Sequence, residues 1–126
     1  MKSREAALRS KRFEADEKTR KVADIEYMIR EFEQMAADLD RQIQVEEDRT
    51  GVKDSSHFAY STFAKAAAQR RNNLRASVVD LQAQLAVAAK ARELAVADLD
   101  KASQPETRDL DRSRRKSERA TSLPMR

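Results

Sequence analysis

The sequence predicts an all-α protein: an antiparallel two-helix coiled-coil hairpin over residues 1–105, with a basic, largely disordered C-terminal tail over residues 106–126. Three observations predict it. Ala, Glu, Lys, Leu and Arg make up about half of the 126 residues, the composition of long helices and coiled coils. Apolar residues recur at alternating steps of three and four along two segments, the period that keeps one face of a helix against a partner. The single glycine, Gly51, lies between those segments.

The first helix is expected over residues 4–48. Its seam runs Val22, Ile25, Ile29, Phe32, Ala36, Leu39, Ile43, and weakens backward through Lys18, Ala15, Lys11 and Leu8. Around it, Glu14 and Lys18, Asp16 and Arg20, Glu17 and Lys21, and Glu26 and Arg30 stand four apart, acid first. Each such pair adds a few tenths of a kcal/mol, and together they mark a solvated outer face.

A turn is expected over residues 49–54, because Gly51 can take the left-handed conformation that ends a helix. Asp54, Ser55 and Ser56 then offer N-cap oxygens for a second helix over residues 55–103. Its seam runs Ala64, Ala67, Arg71, Leu74, Val78, Leu81, Leu85, Ala88, is interrupted at Arg92, and resumes through Ala95, Leu99 and Ala102. Pro105 is expected to close it, since proline donates no helical hydrogen bond and crowds the preceding turn.

A short turn forces the helices antiparallel, and at 1.5 Å per residue they span roughly 68 and 75 Å. Folding about Gly51 predicts layers pairing Ile43 with Tyr60, Leu39 with Ala64, Ala36 with Ala67, Phe32 with Arg71, Ile29 with Leu74, Ile25 with Val78 and Val22 with Leu81. The same register carries on to Leu8 with Ala95. Phe32 opposite Arg71 requires the arginine stem to lie along the ring with its head in water.

Composition removes several classes of function. With one glycine the chain spells neither a phosphate-binding Walker loop nor a dinucleotide fingerprint. With no cysteine and a lone His57 it offers neither a disulfide framework nor a thiolate or imidazole metal site. Acid pairs such as Asp38 with Asp40 or Glu46 with Glu47 have no cleft to separate their pKa values, so general acid–base chemistry is not expected. The expectation is no enzyme, no cofactor and no metal. No apolar run approaches a membrane span and the N-terminus is charged, which reads as a cytoplasmic protein.

The candidate binding residues fall into groups. Phe58 and Phe63 flank Tyr60 just after the turn. Tyr60 lies on the seam, so Phe58 and Phe63 are the expected exposed pair, and aromatics are favoured anchors for partners. The plainer reading of all three is packing over the hairpin tip. Lys65, Arg70 and Arg71 could meet acidic groups, the plainer reading being a solvated face. At the other end Lys2, Arg4, Arg9, Lys11 and Arg12 cluster near the tail. There Arg112, Arg114, Arg115, Lys116, Arg119 and Arg126 face one acid, Glu118, over residues 112–126. That run carries +5, against a net charge of +4 for the whole chain, so nucleic acid and anionic membrane are competing partners for the tail. The body is nearly neutral and no aromatic interleaves the tail for stacking, which ranks nucleic acid lower. A self-associating structural coiled coil is the remaining alternative.

Two stretches, Met1–Glu26 and Asp54–Leu74, carry a resemblance. The run Phe58, Ala59, Tyr60, then Ala64, Lys65, Ala66, Ala67, then Arg70, Arg71, Asn73, Leu74 resembles the FliJ family of flagellar export proteins in its alphaproteobacterial form, as does the two-helix plan. Ser55 and Ser61 stand where that subgroup is expected to have prolines, and Pro105 and Pro124 interrupt an end that the family continues as helix. The resemblance implies a cytoplasmic component of the flagellar type III export apparatus, peripherally associated with the membrane at the flagellar base. It implies docking with the hexameric export ATPase ring and the membrane-embedded export gate, with export chaperones as further candidate partners. Lys65, Arg70, Arg71 and Asn73 enter as partner-binding candidates on the same footing.

Overall fold

The structure, a computed structural model, describes the backbone of residues 2–122 and the side chains of residues 3–104 and of Arg114. Two helices, α1 (Lys2–Thr50) and α2 (Thr62–Ser122), pack antiparallel as a hairpin, with no strand among the described residues.

Helix α1 stops where the glycine permits. Gly51 has φ +74°, and its N–H donates to the Glu47 carbonyl at 2.8 Å, the bond of a left-handed C-cap. Arg49 in the last turn and Glu5 in the first oppose the helix dipole. On the outer face Arg20 bonds Glu17 at 3.1 Å, three residues away, rather than Asp16.

Helix α2 begins seven residues beyond the expected position 55. Asp54 caps a turn instead of a helix: its carboxylate accepts from the Ser56 N–H at 3.0 Å and the Ser56 hydroxyl at 2.7 Å, and its carbonyl accepts from the His57 N–H at 3.0 Å. A second turn closes from the Tyr60 N–H to the His57 carbonyl at 3.0 Å. The N-cap is Ser61, whose Oγ accepts from the Ala64 N–H at 3.2 Å. The helix then runs through Pro105 to Ser122, so the expected stop near residue 103 is absent. Proline removes one backbone bond of the ladder, while the following residues are rich in Arg and set Asp109 and Asp111 three or four residues before Arg112, Arg114 and Arg115, spacings that favour helix. Residues 123–126 of the tail lie outside the described residues.

The chain divides into two compact units, Lys21–Ala88, and Met1–Arg20 with Ala89–Arg126. In the first, α1 buries Val22, Ile25, Ile29, Ala36, Leu39 and Ile43, and α2 buries Ala64, Ala67, Val78, Leu81 and Ala88. Phe32, Leu74 and Leu85 are half-buried. In the second, Leu8 and Ala15 are buried. Among the described residues, five of the thirteen buried apolar ones are alanine, so each layer removes little surface from water.

The register differs from the expected one by a heptad. Asp40 bonds Arg71 at 2.8 Å and Arg75 at 2.6 Å, and Leu74 packs on the cluster of Leu39, Ile43, Ala64 and Ala67. In the expected register Asp40 faces Phe63, which leaves Arg71 about 12 Å and Arg75 about 18 Å along the helix, too far to bond. Advancing α2 by seven residues sets Asp40 level with Arg70 and brings both arginines into reach. In the other unit Lys11 bonds Asp98 at 2.6 Å, which fits the same displacement. Ile43 is then level with Ala67, Leu39 with Arg71, Ala36 with Leu74, Phe32 with Val78 and Ile29 with Leu81. Arg71 therefore carries its head to Asp40 instead of lying along Phe32. The cause is the connection: α2 starts seven residues late, and the pairing shifts by the same seven.

Candidate partner-binding surfaces

The hairpin tip is held by two acids from the end of α1. The Tyr60 hydroxyl donates to Glu47 Oε2 at 2.9 Å, and the Ser61 hydroxyl donates to Glu46 Oε1 at 2.9 Å. Glu46 also takes a two-pronged bond from Arg49, Nη2 to Oε1 at 2.6 Å and Nε to Oε2 at 3.1 Å. Ser61 thus donates across the hairpin while accepting from its own helix. The Arg49 bonds first, then the Ser61 hydroxyl, hold the Glu46 carboxyl below its usual pKa. Partial burial, then the bond to Glu47, pushes the Tyr60 phenol up. The Ser56 hydroxyl, then its backbone N–H, lowers Asp54.

This clasp fixes which aromatics face outward. Tyr60 is half-buried against the Leu39–Ile43–Ala64–Ala67 cluster. Phe58 is 96% exposed and stacks on the His57 ring with centroids 4.6 Å apart, while His57 Nδ1 accepts from the Ala59 N–H at 3.0 Å. Phe63 is 56% exposed and, with exposed Val45, lines a shallow groove edged by Asp38, Arg41, Gln42 and Glu46. Arg41 is itself bonded to Asp38.

The candidate cations divide by environment. Lys65, Arg70 and Asn73 are exposed on α2. Arg71 is half-buried and bonded to Asp40 and to Asn72 Oδ1, so it braces the hairpin. Arg75, not singled out in the sequence, shares the same carboxylate. Near the start of α1, Arg9 and Arg12 are exposed, Arg4 is half-buried, and Lys11 is half-buried and paired with Asp98. The side chains of Lys2 and of the tail cations other than exposed Arg114 lie outside the described residues. No group of three or more His, Cys, Asp or Glu able to hold a metal occurs among the described residues. No helix there is long and apolar enough to cross a membrane.

Sequence reasoning missed the clasp. Ser61 is followed three residues later by Ala64 rather than by Glu or Gln, so the capping-box signature is absent and the acid comes from the other helix.

The fold and these surfaces define a helical hairpin that presents aromatic and basic groups at its surface. No protein-family model matches the chain, and no curated protein or solved structure is found similar to it.

Proposed function

We propose that this chain is a non-catalytic coiled-coil stalk or adaptor of the flagellar type III export apparatus. It docks with the export ATPase hexamer and the membrane-embedded gate, and it acts in the cytoplasm at the flagellar base. The observation that carries the reading is the run from Phe58 to Leu74, which resembles the FliJ family and here spans the end of the connection and the first turns of the second helix of an antiparallel hairpin. The continuation of α2 beyond Pro105 also agrees with the longer second helix expected of that family. Exposed Phe58, Phe63, Lys65 and Arg70 supply one contact surface, and Arg9 and Arg12 another. Such charged, partly aromatic faces suit weak, salt-sensitive contacts with several partners in turn.

A pull-down of the full chain against the purified export ATPase and the cytoplasmic part of the gate tests this. Retention by either at physiological salt supports it. Retention by neither, with tight binding to DNA or RNA under the same conditions, would replace it with a nucleic-acid role for the basic C-terminal run, the reading favoured by the +5 carried by residues 112–126.

A further inference from the structure

Lys18 on α1 and Arg92 on α2 are both seam positions of the unit formed by Met1–Arg20 and Ala89–Arg126. In that unit Lys11 bonds Asp98 at 2.6 Å, while Leu8 and Ala15 are buried on the seam, so the helices run with Lys11 level with Leu99. Four residues further along α1, Ala15 is level with Ala95. Three more bring Lys18 level with Arg92. Two cations therefore oppose one another in a layer that the heptad pattern reserves for apolar contact.

Both side chains are half-buried, and their charged ends reach solvent. Such burial lays the stem along the seam and leaves the head at its edge. Neither head has a hydrogen-bond or ion-pair partner among the described residues. The neighbouring acids are engaged elsewhere or stand apart: Glu17 bonds Arg20 at 3.1 Å, Glu93 lies 3.8 Å from Lys90, and Asp98 holds Lys11. Exposed Glu14, four residues before Lys18, is not bonded to it.

We propose that this layer is a binding site for a carboxylate side chain of an acidic partner segment, held between the Lys18 ammonium and the Arg92 guanidinium. The guanidinium fork offers parallel N–H donors that match the two oxygens of a carboxylate, and the ammonium adds a point charge. A phosphate fits less well. Its oxygens are ordinarily met by free backbone N–H groups at a helix start, and here both helices run through the layer with their amides bonded internally. Ala15, Ala89 and Ala95 beside the layer have no side chain long enough to cover the cations. In the free chain two positive charges face each other across the seam, and a bound carboxylate replaces that repulsion with attraction to both. Binding therefore also favours the closed pairing of the helices.

An NMR titration of the full chain with capped hexaglutamate tests this, with hexaglutamine and inorganic phosphate as controls at equal ionic strength. The Arg92 Nε–H and Lys18 side-chain signals should shift saturably with hexaglutamate alone. K18Q and R92Q should each raise its dissociation constant about fivefold or more, whereas K101Q, which removes an exposed cation of the same unit, should leave it unchanged. R92E should abolish binding and raise the melting temperature, because the new carboxylate meets Lys18 as an opposite charge. Phosphate shifting the same signals as strongly as hexaglutamate overturns the carboxylate assignment. Equal losses for K101Q and R92Q, no shift at Lys18 or Arg92, or an R92E chain that melts below wild type overturns the site itself.

Discussion

Arg71 Nη1 donates to Asp40 Oδ1 at 2.8 Å across the hairpin, and the other oxygen of the same carboxylate accepts from Arg75 at 2.6 Å. One acid on α1 thus gathers two cations a turn apart on α2. This bond ties the helices in one register, because a displacement by a heptad carries both arginines away from Asp40.

Removing that acid is expected to be mild but measurable. The groups are partly exposed, so Asp40→Ala should lower stability by about 1 kcal/mol or less. The loss should shrink at high salt. Thermal melts at low and high ionic strength check it; a loss independent of salt would show that Asp40 acts through packing.

Gly51 is open to a different test. A Cβ there meets nothing within 4 Å, so the difficulty for a side chain is conformational alone, set by φ +74°. Gly51→Ala should destabilise the hairpin by about 1–2 kcal/mol, and Gly51→Asn by less, since Asn tolerates the left-handed region. Equal losses for both would contradict the assignment of a left-handed C-cap.

The clasp predicts pH dependence at both ends of the scale. Glu46 has a lowered pKa in the folded chain, so its contribution is complete above about pH 4.5 and fades as pH falls through the lower folded value. Tyr60 has a raised pKa, so its contribution is complete below pH 10.0 and fades as pH rises through the higher folded value. Melting wild type beside Glu46→Gln across acid pH should give curves that converge as the pH drops. Tyr60→Phe should converge with wild type at alkaline pH. Curves that stay parallel would remove these groups from the stability balance.

How much of this was legible in the sequence depends on what each signal encodes. Both helices, the stop at Gly51 and the seam from Val22 to Ile43 follow from periodicity and a positive-φ glycine, which are local properties. The register was not legible, because a heptad pattern matches itself after seven residues: Ile29 can meet Leu74 or Leu81 with equal apolar satisfaction. The length of the connection decides between them, and it turned on Ser61 rather than Asp54 serving as the N-cap. That choice rests on Glu46 and Glu47 reaching over from α1, a contact no local window contains. Among the candidate binding residues, Lys11 and Arg71 have the charge expected of partner-binding groups but spend it within the chain, on Asp98 and Asp40.

Phe58 and Phe63 offer the cleanest separation of folding from binding. Both are exposed, so the double variant F58A/F63A should melt within about 0.5 kcal/mol of wild type. Its affinity for the export ATPase or the gate, whichever the tip engages, should fall about tenfold or more. Unchanged affinity for both partners would move the contact surface away from the tip.

The most direct test of the whole account is disulfide trapping, since the native chain has no cysteine to interfere. I29C/L81C should oxidise readily to an intramolecular crosslink, while I29C/L74C should not. Preference for the Ile29–Leu74 pair would restore the register centred on Gly51, and failure of both pairs would contradict the hairpin on which every proposed surface depends.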